Sequence, residues 1–289
     1  MNKPTPIEPL RRQVLFTLFL GGLLPVILMM GITQVFTRKA MMDYEYNKMS
    51  ILADQTAQQI EQEVRNASSA FDALRNTWSA EWQHHVEKDS KQPWQPSGSD
   101  PAGSGITLYD RRGVLVTPSA QDPLRAATNS RPFQRALSGE LALVPPCLQP
   151  GGSNLQMGAY MPITNQQGMV DYIAWASRPL DRIQQLVGRI HLGQEGYFTL
   201  LDSTGNVLFH PDAKQVMSRF DSRIPSRFWT FRPRGVYLTR QADRYAFVSV
   251  ALDFYRSGLE RAWTLVGLKP YHEVLIFPQQ EMRLQLGVT

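Results

Sequence analysis

Residues 14–36 read VLFTLFLGGLLPVILMMGITQVF, 23 residues without a charge, closed by Arg11-Arg12 on one side and Arg38-Lys39 on the other. A helix needs about 20 apolar residues to cross a hydrocarbon core of roughly 30 Å, so this run is long enough to span. A secretory signal is the competing reading. Its apolar stretch is typically about 7–15 residues, and no small-residue cleavage site stands before Arg38. Pro25, beside Gly21-Gly22, is expected to kink such a helix rather than end it. The expectation is therefore a short N-terminal tail (1–13) and an uncleaved transmembrane helix (14–36). Lys3, Arg11 and Arg12 balance Arg38, Lys39 and Lys48, so charge counting does not orient the span. Residues 37–289 contain no second run of about 18 apolar residues, which predicts a single-pass membrane protein with nearly all its mass on one side.

Residues 38–92 carry neither Gly nor Pro. Their apolar or small positions are Met42, Tyr46, Met49, Ala53, Thr56, Ile60, Val64, Ala67, Phe71, Leu74 and Trp78, at spacings of 4, 3, 4, 3, 4, 4, 3, 4, 3 and 4. That is a heptad seam with one stutter at Ile60–Val64, and it predicts a stalk helix over 37–90. Two readings of the seam are compatible: a long helix packed on its own domain, or a stalk that forms a homodimer. Residues 91–105, rich in Pro, Gly and Ser, read as a loop.

Beyond the loop the signal changes to short strands, and it repeats. Thr107, Leu108, Asp110 and Gly113 recur in register 92 residues later as Thr199, Leu200, Asp202 and Gly205. Each copy reads as strand, tight turn, strand, with Asp opening the turn and Gly free to take positive φ. Each continues through a Pro-containing stretch to a later antiparallel pair, 156–164 with 169–177 in the first and 245–251 with 262–268 in the second. Leu180, Ile183, Leu186, Val187 and Ile190 fall at helical spacing between the copies. The prediction is an α+β fold of two tandem modules, membrane-distal over 91–178 and membrane-proximal over 196–277, joined by a linker helix over 179–195. A C-terminal segment follows at 278–289. It reads as a helix that would lead into a second span, which leaves three alternatives: a fragment, a truncated product, or a protein whose output lies in a partner.

The composition is that of a folded chain, 43% apolar and 19% charged. Its net charge of +5 is spread without a basic block, so no nucleic-acid partner is predicted. The single cysteine, Cys147, excludes an internal disulfide and a multi-cysteine zinc site. Asp110 and Asp202 read as turn formers. His84-His85 with Glu81 reads as a solvated helix face, so no metal and no cofactor is expected. The sequence has no nucleophile elbow, P-loop, H-E-x-x-H or C-x-x-C, and no enzyme is predicted.

Several stretches in order carry a family resemblance. They are Ser130-Arg131-Pro132-Phe133, then Met161-Pro162-Ile163-Thr164-Asn165, then Gly196-Tyr197-Phe198-Thr199, and finally Ala262-Trp263-Thr264-Leu265 with Pro270. Behind a membrane span and a long helix, this sequence of motifs resembles the double Cache family over about residues 38–277. These are extracytoplasmic sensor modules with two PAS-like halves. The resemblance implies a small-molecule site in the distal half, where an Arg holds a carboxylate and a later Asp holds an ammonium. Arg131 stands at the Arg position, Phe133 at that of a Trp, Gln134 at that of a Tyr, and Asn165 at that of the Asp. A neutral amide pairs poorly with an ammonium group, so the expected ligand is a small polar or carboxylate-containing solute, an organic acid or an amino acid. The expected cavity is lined by Arg131, Phe133, Tyr160, Asn165 and Trp175. The alternative is a non-catalytic accessory subunit that uses the fold to dock onto a membrane protein complex.

Overall fold

The computed structural model describes residues 7–87, 94, 96, 107–116, 130–148, 155–220, 234–238, 243–252, 254 and 263–274. Contacts divide the chain into two units, one of Met1–Lys48 with Tyr271–Thr289 and one of Met49–Pro270. The chain begins as α1 (Ile7–Leu18), passes through a π turn (Phe19–Leu23) and continues as α2 (Leu24–Glu87). Pro25 has no N–H, and the Leu24 N–H reaches back five residues to the Phe19 carbonyl. One wide turn thus absorbs the proline, and the helix goes on without a break. The apolar side chains from Val14 to Phe36 are exposed, Leu24 in part. From Val14 on, the helix is long and apolar enough to cross a membrane.

In the second unit the seam of α2 is buried. Met49, Ala53, Thr56, Ile60, Val64, Phe71 and Trp78 are each no more than 1% exposed. A side chain buried in a single chain is covered by that chain, so these seam residues are spent on the domain itself. Of the two readings of the seam this is the helix packed on its own domain, and Ile60 and Val64, both fully buried, are not available to a second copy. The heptad arithmetic marked the face that packs, and the face packs at home. Polar contacts fix the register: Ser79 Oγ accepts the Thr164 N–H at 3.3 Å, and Gln83 Nε2 donates to the Thr164 carbonyl at 3.2 Å.

The first sheet has four antiparallel strands in the order β1-β4-β3-β2: β1 (Thr107–Asp110), β2 (Ala142–Leu148), β3 (Leu155–Thr164) and β4 (Val170–Pro179). After the turn at 111–113, the second strand of the expected hairpin shrinks to one bridge, Tyr109 to Leu115. β2 was not foreseen. Its Pro145-Pro146 breaks the ladder, and the register with β3 shifts between Val144 and Cys147, as befits an edge strand. The short helix α3 (Arg131–Leu137) is capped by Ser130, whose Oγ accepts the Phe133 N–H at 3.4 Å, with Pro132 in its first turn. α4 (Asp181–Gly188) follows β4.

The second sheet holds β5 (His191–Leu192), β6 (Gly196–Leu201), β7 (Val207–Phe209), β8 (Arg234–Leu238), β9 (Arg244–Leu252) and β10 (Trp263–Pro270). They run β5-β6-β10-β9-β8, with β7 on β6. The two turns match. Asp110 Oδ1 accepts the N–H groups of Arg112 and Val114, and Asp202 Oδ1 those of Thr204 and Asn206. Gly113 and Gly205 take φ of 77° and 85°. The fold is α+β, a long N-terminal apolar helix followed by antiparallel-sheet modules. The expected loop at 91–105 lies outside the described residues apart from Trp94 and Pro96, and so do the turn at Ser257-Gly258 and the segment 278–289.

Candidate functional site

One face of the first sheet carries Tyr109, Tyr160, Ile173 and Trp175, with Ala142 and Val144 from the edge strand and Phe133 and Ala136 from α3. The period of two along each strand places them together: Tyr109 pairs with Ile173, and Tyr160 with Trp175. Three edge-to-face contacts hold the rings: Tyr109 to Phe133 at 5.9 Å, Tyr109 to Tyr160 at 6.4 Å and Phe133 to Tyr160 at 5.5 Å between centroids. Tyr160 and Trp175 lie 4.8 Å apart. Trp175 fits because Gly158 has no side chain. A Cβ on Gly158 would stand 1.8 Å from the tip of the indole.

Three of the expected site residues thus meet: Phe133, Tyr160 and Trp175, all at most 3% exposed. Arg131 is in the first turn of the helix that brings Phe133, but it is exposed at the edge of this cluster. Asn165 is elsewhere. It opens the β3–β4 turn, where its Oδ1 accepts the N–H groups of Gln167 and Met169, both at 3.0 Å. The residue that sequence reasoning missed is Tyr109. Its ring joins the aromatic wall, and its hydroxyl is buried with no hydrogen-bond partner among the described residues, as is the hydroxyl of Thr107 on the same strand. Alternation along β1 puts Thr107 and Tyr109 on one face, the signal that would have found them.

A second polar node lies at Asp171. It accepts from Trp82 Nε1 at 3.0 Å, Arg111 Nη2 at 3.0 Å and Asn165 Nδ2 at 3.3 Å. Arg111 Nε also donates to the Val170 carbonyl. The ring of Trp82 meets Tyr172 edge-on at 4.9 Å and Trp94 at 5.5 Å, and stacks on His85 at 5.6 Å. Burial raises the Tyr172 pKa, and the charges of Asp171 and Asp110 push the same way. This node ties the end of α2 to the β1 turn and the β3–β4 hairpin. His84 sits apart, 3.6 Å from Glu87.

In the second module Tyr197 packs edge-on against His210 at 4.9 Å. Burial, with Tyr245 adding to it, pushes the Tyr197 phenol up to about 12. Burial lowers the His210 pKa, and the charge of Asp212 offsets this only in part. The His210 Nδ1 accepts the Asp212 N–H at 3.0 Å. For Tyr197, a raised folded-state pKa gives stability that is complete below the unfolded value near 10 and lost as pH rises towards about 12. The urea midpoint should therefore fall between pH 10 and 12. In Tyr197→Phe that alkaline fall should flatten, as followed by circular dichroism.

The architecture defines a tandem ligand-binding module carried on a long N-terminal helix. The chain belongs to the Cache domain family: the double-Cache model matches residues 37–275. Cache domains are sensory ligand-binding modules. No curated protein matches the chain. Among solved structures it is similar to the ligand-binding domain of the Pseudomonas aeruginosa PAO1 chemoreceptor PctC in complex with GABA. The identity is 18% and the TM-score 0.52, over 77% of this chain and 99% of that one. It is also similar to the ligand-binding domain of the Pseudomonas fluorescens chemoreceptor CtaA with L-isoleucine, at 13% identity and TM-score 0.56, over 83% and 98%. The ligand-binding domain of Mlp24 with asparagine aligns at 16% identity and TM-score 0.52, over 80% and 97%.

Proposed function

We propose that this chain is a membrane-anchored extracytoplasmic sensor. In this reading the distal module binds a small polar or carboxylate-bearing solute, and the long helix or a partner relays occupancy. The observation that carries it is the Tyr109 hydroxyl, buried among aromatic rings without a partner among the described residues. A buried, unpaired hydroxyl costs stability in the free protein and gains a hydrogen bond when a polar ligand arrives. Phe133, Tyr160 and Trp175 supply an apolar wall, and Arg131, at the edge of that wall, supplies a planar fork for a carboxylate. Asn165 belongs to the turn, so the reading assigns it no ligand contact. Residues 14–36 serve as the anchor, with the modules outside the cytoplasm. The chemoreceptor domains it resembles were crystallised with amino acids, which makes amino and organic acids the compounds to screen.

The test is a thermal-shift screen of both compound classes on the purified chain, followed by titration of the hits. Tyr109→Phe should keep or slightly raise the melting temperature of the free protein, because it deletes an unpaired group. It should weaken ligand binding by roughly ten-fold, the worth of a hydrogen bond of about 1–2 kcal/mol. Arg131→Ala should weaken carboxylates selectively. A chain that no compound stabilises, and that co-purifies with a membrane complex, would be the accessory subunit instead.

A further inference from the structure

A cavity opens on the other side of the first sheet, away from the aromatic wall. It has a volume of about 330 Å³ and is lined by Glu63 and Asn66 of α2, Met157 of β3, Arg178 at the end of β4, and Leu180 and Arg182 at the start of α4. Arg178 follows Tyr172, Ala174 and Ala176 by alternation, on the face opposite Ile173 and Trp175. Its guanidinium is half-buried and makes no ion pair or side-chain hydrogen bond among the described residues. A partly buried arginine that lines a cavity and is bonded to none of its acceptors is an incomplete site, since its five donors are normally met by a carboxylate or phosphate.

The surroundings complete the chemistry of an anion. Arg182 adds a second fork and is mostly exposed, at 79% of its side chain, with a long contact of 3.4 Å to Glu63. Leu180, the N-cap of α4, offers no oxygen to the first turn. The Gln184 N–H, bonded to the Leu180 carbonyl at 3.0 Å, is the first that this helix closes on itself. The donors ahead of it have no partner within the helix, and the helix dipole favours negative charge there. Among the described residues Glu63 is the one acid in the lining, and Asp181 stands in the first turn of α4 between Leu180 and Arg182, so two guanidinium groups share the region with two carboxylates and Arg178 is bonded to neither.

We propose that this cavity binds a small oxyanion, a carboxylate or a phosphate. Arg178 and Arg182 would hold it between the long helix and the linker helix, at a site separate from the distal aromatic wall. Its position, at the exit of one sheet and the start of α4 leading to the next, makes it a place where a solute would adjust how the long helix packs. Occupancy brings Arg178 its missing acceptor and releases Arg182 from its weak contact with Glu63.

The experiment titrates the full chain in detergent with sodium succinate and, in a second arm, with sodium phosphate, against sodium chloride at matched ionic strength. Melting temperature and calorimetric affinity are the readouts. The expected result is a rise in melting temperature with at least one oxyanion and none with chloride. Arg178→Gln and Arg182→Gln should each weaken that affinity roughly ten-fold or more, as loss of one partner of a charged pair does. Arg182→Gln, at an exposed position, keeps the test valid if Arg178→Gln folds poorly. Tyr109→Phe should leave this binding unchanged, which separates the site from the distal one. Succinate acting without phosphate would identify a carboxylate site, and the reverse a phosphate site. No shift with either oxyanion, or a shift that survives both arginine substitutions, overturns the proposal.

Discussion

Ile60→Asp should unfold the Met49–Pro270 unit rather than split a dimer, and Val64→Asp should do the same. Both side chains are fully buried in the single chain. Truncating a buried Ile to Ala alone costs about 2–5 kcal/mol, through lost transfer energy and the cavity left behind. An aspartate adds a buried carboxylate, and the desolvation of such a group costs several kcal/mol more. Against a total stability of about 5–15 kcal/mol for a typical domain, that removes most or all of it. Circular dichroism and size-exclusion chromatography read the two alternatives apart. Loss of the cooperative thermal transition is the expected outcome. A folded protein with an unchanged melting temperature and a smaller hydrodynamic size would restore the seam to the role of an interface.

Gly158→Val should be nearly as damaging, and it can be rescued. Glycine here has an ordinary backbone, and its value is the space it leaves. Any Cβ would stand 1.8 Å from the Trp175 indole, far inside contact distance, so even Gly158→Ala forces the ring out of its place beside Tyr160. Overpacking a core typically costs about 1–3 kcal/mol and occasionally more, and a displaced Trp carries its neighbours with it. Gly158→Ala combined with Trp175→Leu should therefore lose less than the two single changes added together, with a coupling of about 1 kcal/mol or more in urea denaturation. Strict additivity would mean that the ring does not rest on Gly158.

The parts of this molecule legible in its sequence are those with a period. The 23 uncharged residues, the seam from Met49 to Trp78 and the alternation in β3, β4, β9 and β10 each leave a regular imprint, and each element formed. The repeated Asp-x-x-Gly turns were legible for the same reason, because a carboxylate capping two amides and a glycine at positive φ are local chemistry. What a periodic face packs against is not local. The seam of α2 would look the same against a second copy as against its own sheets, and only the tertiary fold decides. β2 escaped because Pro145-Pro146 reads as a breaker, and β8 because five residues opening on Arg234-Gly235 carry little pattern. At the candidate site, motif position singled out Phe133 correctly as a neighbour of Tyr160 and Trp175. It also singled out Asn165, whose turn chemistry is the simpler explanation. Tyr109 and Asp171 matched no motif and stand out only once the strands are placed side by side.

The proline pair of β2 has a consequence for the company the chain keeps. β2 is the edge of the first sheet, and neither Pro145 nor Pro146 has an N–H to offer a neighbouring strand. Consecutive strand residues turn their N–H groups to opposite edges, so an incoming peptide would find one donor missing on its side and a ladder bent by the shift beside it. Among the described residues that margin is the edge of the sheet, and it is a poor template for a further strand, whether from a second copy or from a misfolded chain. At high local concentration, copies of the chain are thereby hindered from fusing their sheets along this edge. The strand that sequence patterning failed to see is the one that keeps the first module solitary there.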